Sequence, residues 1–520
     1  MTLHKDERGR LEDVGFMTCM TLVMLGNYAQ TGHFGGPLAY TPFNVAAHLI
    51  GPERGGLRYD IRRPKHPFGD KFMMAAGHSV PTCYALYMIL GQAMERRFKL
   101  TGDKRYAVDP DVALLPIDAL GFRRGAGALK TLLAEQGLEG DPLFAQAKAR
   151  GIKALSGHAE SIDVTNDVNG GPSGVGVATA AGKAAFWDIA GAADITSKDS
   201  GPKIIALEGE FAMTEGHAQE LKTQALALKV GKRLRVILSD NNAGIDDVLL
   251  GGVIPKEFTG YKLHEQWTSY GWNVLTTGDG SDYDQIVATL SAMEKSDPSD
   301  KRPMIVIAKT TKGYWPAASH GQLGKVQQIV SYPSHPYGHK MNSEYFVAMA
   351  ESFEQRYGVT FEGIRNGAVT DPKERLVQFK TNIDKVMSVL DQKGLGDWLA
   401  DRLVEIGDTI KDDRKIGIDN KRDPFQDERL RVANLPLEPQ TLTAKNPASG
   451  VEKEVSVALF RKAGESLGAR RAISEIIKWT NYVTGNRFIT LAADLSESIN
   501  VEHGSLWGNY DPVTNPSGTR

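Results

Sequence analysis

Residues Lys203–Asp247 read KIIALEGEFAMTEGHAQELKTQALALKVGKRLRVILSDNNAGIDD. The run Ile204–Leu207 is short and apolar, which predicts a buried strand. A Gly-Glu turn follows, then a helix over about Thr214–Val230, then a second strand, Leu234–Leu238, that ends in Ser-Asp-Asn-Asn. The unit is β-turn-α-β, with polar groups at the carboxyl ends of both strands, where open α/β sheets bind ligands. The crossover would return Glu210 and Asn241 to one sheet edge. A carboxylate, an amide and a backbone carbonyl form a hard oxygen set suited to Mg²⁺ or Ca²⁺ on a diphosphate.

At 520 residues the chain is long enough for more than one domain and a large core. A net charge of −2 gives no sign of nucleic-acid or anionic-membrane binding. The two cysteines, Cys19 and Cys83, cannot make a disulfide framework. The apolar run Phe16–Leu25 is too short to span a bilayer and lacks signal-peptide flanks, so a core helix and a cytoplasmic location are expected.

Other stretches carry chemistry. After a helix over Met17–Ala29, Thr31-Gly32-His33-Phe34-Gly35-Gly36-Pro37 sets a histidine between glycines. Asp70-Lys71-Phe72-Met73-Met74-Ala75-Ala76-Gly77-His78-Ser79 runs from a strand into a second histidine loop, and Pro81–Leu90 reads as a helix. Residues 92–153 read mostly as surface helices and loops. Leu155-Ser156-Gly157-His158-Ala159-Glu160 is a third histidine loop. Asn169-Gly170-Gly171-Pro172-Ser173-Gly174-Val175-Gly176 precedes an Ala-rich helix, Val177–Ala190, and can leave N–H groups facing an anion.

In this order the motifs resemble the transketolase family. Gly209-Glu210-Phe211, Glu215-Gly216 and Asp240-Asn241 fall at its GDG, EG and DN. The histidine stretches are similar to its SGHPG, GHG and PGHPE, and Asn169–Gly176 to TTGPLGQG. Glu210 replaces an Asp, Phe211 a Gly and Ser173 a Leu. The resemblance implies an α/β fold whose parallel sheet has helices on both faces and binds thiamine diphosphate with Mg²⁺ or Ca²⁺. Glu210, Asn241 and the Ala243 carbonyl would hold the metal. His78, Gly171, Ser173, Gly209, Glu210, Asn241, His320 and Asp494 would face the cofactor, with His335 and His339 as alternatives to His320. His33, His78 and His158 would serve catalysis, His33 and His158 touching substrate, and Glu215 would link two active sites across a dimer.

Further on, Lys309-Thr310-Thr311-Lys312-Gly313-Tyr314 follows an apolar strand, Met304–Ala308. Residues 341–456 are charged and read as a linker with flanking helices. Ala469-Arg470-Arg471-Ala472-Ile473-Ser474-Glu475, a strand Phe488–Ala492 and Ala493-Asp494-Leu495-Ser496-Glu497-Ser498 resemble the opening of the family's second domain, with Arg471 and Ser498 on the sugar phosphate. The expected division is a diphosphate-binding domain over 1–330, a helical linker over 331–456, and the start of a pyrimidine-binding domain over 457–520. The family's GIREHAM segment, whose Glu activates the cofactor, is not in the sequence. The chain is therefore expected to act as a homodimer or with a chain that supplies the remainder, and to be inactive alone.

The implied reaction moves a two-carbon ketol unit from a ketose phosphate to an aldose phosphate. The alternatives are an E1-type 2-oxo acid dehydrogenase component and a non-catalytic paralogue with a binding or regulatory role. No nucleic-acid or membrane partner is expected.

Overall fold

Strands of a parallel sheet are covered on both faces, so they read as unbroken apolar runs rather than alternating ones. Ile204–Leu207, Val236–Leu238 and Met304–Ala308 have that pattern, and all are buried. The computed structural model describes residues 3–124, 151–193, 201–241, 262–296, 300, 302–316, 340–411, 426–490, 500–501, 504–511 and 514–519. The chain divides into two compact units, residues 1–184 with 202–412, and residues 185–201 with 413–520.

The first unit is built on β1 (Lys71–Met74), β2 (Ile204–Gly209), β3 (Leu234–Asp240), β4 (Asn273–Thr277) and β5 (Met304–Lys309). Their order across the sheet is β1-β2-β3-β5-β4, and every neighbouring pair is parallel. The fold is α/β, as the sequence predicts. The helices are α1 (Lys5–Ala29), α2 (Gly35–Leu49), α3 (Pro81–Thr101), α4 (Val175–Ala193), α5 (Gly216–Ala227), α6 (Leu263–Ser269) and α7 (Tyr283–Lys295). Helix α1 is buried from Val14 to Tyr28, which explains its long apolar run. Pro81 opens α3, and Gly102, in the left-handed region at φ 66°, closes it. Among the described residues no helix is long and apolar enough to cross a membrane.

Two segments differ from expectation. Leu114–Phe122 is buried rather than superficial. The Asp118 carboxylate folds it by accepting the Leu115 and Lys153 N–H groups at 2.8 and 3.0 Å. The charged stretch after 341 holds α8 (Glu344–Tyr357), α9 (Pro372–Met387) and α10 (Leu395–Gly407), which belong to the first unit. Helix α9 packs on α1, and α10 on α3. Each helix carries an apolar stripe, such as Leu376, Phe379, Ile383 and Val386, beneath its charges.

The second unit contains an antiparallel hairpin, β6 (Gln440–Lys445) with β7 (Glu452–Val457), and α11 (Ala469–Thr484). Val457, Trp479 and Val483 form its small core, bordered by Leu430, Leu435 and Leu442. The hairpin stands where the sequence suggested linker. Phe488–Thr490 lie outside any strand, because their N–H groups turn elsewhere. Phe488 donates to Asn481 Oδ1 at 2.9 Å and Thr490 to the Thr519 carbonyl at 2.8 Å. Residues 491 and 492 lie outside the described residues.

Candidate active site

The carboxyl ends of β1, β2 and β3 lie side by side, so the segments leaving them meet. Gly209 pairs with Ser239 in the β2–β3 ladder. This brings Glu210 and Asn241 together from 31 positions apart, and the Glu210 carboxylate accepts the Asn241 N–H at 3.1 Å. Glu210 is 1% exposed. Asp240, which precedes Asn241, is buried and paired to Lys309. Phe211 is 40% exposed and its φ is not in the left-handed region that favours glycine, so the backbone accepts Phe there without strain. Glu215 stands before α5 and is half-buried.

The three loop histidines converge. The His33 ring lies 5.3 Å from that of His78 and 6.1 Å from that of His158, edge to face in both cases. Glycines make the approach possible. A Cβ on Gly36 would lie 2.7 Å from Ser79 Oγ and 3.3 Å from His78 Nε2. A Cβ on Gly77 would run into the Gly170 carbonyl oxygen. Backbone hydrogen bonds then join the loops. Ala159 N–H donates to the Gly77 carbonyl at 2.9 Å and Gly170 N–H to the Ala159 carbonyl at 2.8 Å. Gly313 N–H reaches the Gly35 carbonyl at 2.8 Å, which brings the loop after β5 to the start of α2.

Burial, with His33, His158 and Lys312 nearby, pushes the His78 imidazole down to about 3. His158 is lowered as well, by desolvation and by Arg123. Both rings are thus neutral near pH 7, able to donate from one nitrogen and accept at the other. Gly171 and Ser173 are exposed, and the Ser173 carbonyl meets His217 Nε2 at 2.7 Å. Arg471 is exposed in the first turn of α11, in the second unit. Ala243, His320, His335, His339, Asp494 and Ser498 lie outside the described residues.

Four residues that sequence reasoning did not single out border the site. Lys312 is buried and close enough to His78 to affect it. Arg123, in the left-handed region at φ 55°, spans two histidine loops, donating to Thr31 Oγ1 at 3.2 Å while packing against Gly157. It lines a cleft of about 640 Å³ with Tyr84, Lys153, Ser156 and Asp163. Tyr40 is buried in α2, with its hydroxyl 3.1 Å from where a Gly209 Cβ would stand. Burial, and then Glu208 and Glu210, push its pKa well up. Glu208 itself is 2% exposed, and burial lifts its carboxyl to about 8 against the Gly209 N–H it accepts. Its only sequence signal is an acid closing an apolar run.

Residues 145–347 match the family described as transketolase, thiamine diphosphate binding domain. Over this stretch the chain is similar to the thiamine diphosphate-binding domain of the transketolase family. A transketolase of Rhodobacter capsulatus is 28% identical over 290 residues, which are 55% of this chain and 33% of that protein. The match thus spans about a third of that relative's length. One of the subunits of apulose-4-phosphate transketolase from Phocaeicola vulgatus is 26% identical over 298 residues, 56% of this chain and 79% of that one. Among solved structures, transketolase from Leishmania mexicana superposes with a TM-score of 0.56 at 17% identity, over 98% of this chain and 59% of its own. This likeness shows a shared α/β thiamine diphosphate-binding fold.

The residues present fit the cofactor and its metal. The Glu210 carboxylate stands at the strand ends against the backbone of Asn241, and a carboxylate and an amide are the hard oxygen donors that a divalent cation takes. The glycine contacts around His78 leave backbone, not side chain, next to the place where the loops meet.

Proposed function

We propose that this chain is the thiamine diphosphate- and divalent-metal-binding part of a transketolase-like transferase. It would move a two-carbon ketol unit from a ketose phosphate to an aldose phosphate. The observation that supports this most is the meeting of His33, His78 and His158 beside the strand ends that carry Glu210 and Asn241. Glu210 and Asn241, with the Ala243 carbonyl, would hold Mg²⁺ or Ca²⁺. The bound cofactor supplies an electron sink for cleavage of the donor's carbon–carbon bond.

The chain's own residues then bind and move protons. His33 and His158 would hydrogen-bond the sugar oxygens, and His78 would sit between them and the cofactor. A neutral imidazole can pass a proton at either nitrogen without first losing one to solvent. Gly171, Ser173 and Gly209 would border the cofactor, and Glu215 would lie at a contact between chains. Arg471, an exposed guanidinium suited to an oxyanion, would anchor the sugar phosphate. Assembly with a second chain is supported by the Phocaeicola vulgatus relative, which is named as one of the subunits of its enzyme.

The test is calorimetric titration of thiamine diphosphate, with Mg²⁺ or Ca²⁺, into the protein purified from its native host with any chain that copurifies. Metal-dependent binding followed by turnover of a ketose phosphate is the expected result. Absence of binding with either cation would overturn the reading.

A further inference from the structure

Arg123 and its neighbour Arg124 border a cleft that the function just proposed leaves unused. The cleft holds about 640 Å³, and the residues lining it belong to the first unit. That volume is usual for small-molecule sites. Arg123 lies over the Phe122 ring at 5.9 Å from its centroid, and Arg124 over the Tyr28 ring at 5.6 Å. Such contacts use the face of a guanidinium and leave its N–H edge for an oxyanion. Among the described residues neither arginine is paired with a carboxylate. Burial alone lowers the Arg123 guanidinium from its usual value, and its Nε is buried without a hydrogen-bond partner among the described residues. A partly desolvated cation without a counter-charge is costly, and an oxyanion offsets that cost.

The arginines stand beside the histidines. Arg123 Nη1 donates to Thr31 Oγ1 at 3.2 Å, two residues before His33. A Cβ on Gly157 would run into Arg123 Nε, so this glycine lets the guanidinium reach the residue before His158. The cleft also has acids on its wall, Asp111, Glu160 and Asp163. Asp163 accepts the Tyr84 hydroxyl at 2.7 Å, and burial raises its carboxyl from the usual value. Carboxylates set apart from the arginines are acceptors for neutral hydroxyls. The lining therefore suits a molecule that carries an oxyanion at one end and hydroxyls along its length.

We propose that the Arg123–Arg124 cleft is an anion subsite of the first unit, which grips the acidic end of a hydroxylated substrate, a sugar phosphate or a sugar acid, beside His33 and His158. The inference rests on the reading above for the reaction, and deepens it by naming a part of the substrate that this unit holds by itself. Two adjacent guanidinium forks give an oxyanion paired, charge-assisted hydrogen bonds. Arg471 stands on the second unit, so the two arginine sites can be tested apart.

Ribose 5-phosphate, gluconate, ribose and inorganic phosphate are titrated by calorimetry into the cofactor-free full chain, with any chain that copurifies. The same is done for Arg123→Gln, Arg123→Lys, Arg124→Gln and Arg471→Gln. Wild type is expected to bind ribose 5-phosphate or gluconate at least about tenfold more tightly than ribose, and the tighter of the two identifies the oxyanion as phosphate or carboxylate. Arg123→Gln and Arg124→Gln should each weaken that binding by about 10–100-fold, the usual loss with a charge-assisted hydrogen bond. Arg123→Lys, which keeps the charge without the fork, should fall between. Thermal melts show which variants are folded, and Arg124→Gln carries the test if Arg123→Gln is not. Unchanged affinity in folded Arg124→Gln and Arg123→Lys overturns the proposal. So does equal affinity for ribose and the acidic sugars, a loss confined to Arg471→Gln, or tightest binding of inorganic phosphate, which means an adventitious ion only. Failure to bind thiamine diphosphate with either cation, while the acidic sugar still binds, overturns the cofactor reading and leaves the subsite standing.

Discussion

The strand-end oxygens and the loop histidines arrive at the same end of the sheet by different means. Glu210 and Asn241 are placed by the β2–β3 ladder, in which Glu208 opposes Leu238 and Gly209 opposes Ser239. Register there is held by repeated backbone hydrogen bonds and by burial on both faces, so a single side-chain change does not shift it. The histidines sit on loops held by a few close contacts between glycines and by single hydrogen bonds. The strand end should therefore tolerate changes in shape and fail through loss of charge. The loops should do the reverse.

The largest effect should come from the loop contacts. Gly77→Ala places a methyl against the Gly170 carbonyl, and backbone cannot swing aside as a flexible side chain can. A loss of about 3 kcal/mol is expected from overpacking of this kind, read as a lower urea midpoint with unchanged slope. Gly102→Ala is the control, because a Cβ there meets nothing and only the φ of 66° opposes it. Its cost should be nearer about 1 kcal/mol. Equal losses would break the idea that steric fit, rather than glycine's backbone freedom, assembles the histidines.

Next in size is Glu210→Ala, which leaves the ladder intact. Metal-dependent affinity for thiamine diphosphate should fall by about 10–100-fold, or about 1.4–2.7 kcal/mol, with little change in melting point. A large stability loss with unchanged affinity would mean that Glu210 serves only to receive the Asn241 N–H.

Acid should act on the loops. His78 is held at about 3 in the folded chain against a usual 6.5, so below pH 6.5 the unfolded chain binds the proton and the folded chain does not. Stability is full above that value and is lost as pH falls toward about 3. Between pH 7 and 5 the loss due to His78 should be about 1–2 kcal/mol, discounted for its partial exposure. His78→Gln should flatten that part of the pH profile, measured by denaturant midpoints at each pH. An unchanged slope would place the acid sensitivity elsewhere, with the fully buried His48, pushed down to about 4, the next group to replace.

The same contrast explains what the sequence revealed. Strands built on Ile204–Leu207 and Met304–Ala308 announce themselves, because burial on both faces demands unbroken apolar runs. His33, His78 and His158 were legible because each stands next to glycine, a local signature of close backbone approach. Arg123 and Tyr40 carry no such mark, since only the crossovers and the α2 packing bring them to the site, and Lys312, although it precedes Gly313, reads as one more surface lysine. Glu208 was passed over because one acid at the end of an apolar strand reads as the strand's solvent-facing end. Helices α8–α10 were read as the flanks of a linker because charge frequency conceals a stripe that only spacing shows. The strand expected from Phe488 fails because its N–H groups are satisfied by Asn481 and Thr519.

Phe211 gives the smallest predicted effect and the sharpest use of the comparison. It stands where the resembled motif has a glycine, which suggests an obstruction at the cofactor. Yet its ring is 40% exposed, and its backbone lies outside the left-handed region. If the strand end tolerates shape, Phe211→Gly should change cofactor affinity by less than about twofold, under about 0.5 kcal/mol. Stability should drop by at most about 1 kcal/mol, from the added freedom of the unfolded chain. A tenfold gain in affinity would show that the ring does stand in the cofactor's way. The strand end would then share the loops' sensitivity to shape, and the division between the two halves of the site would fail.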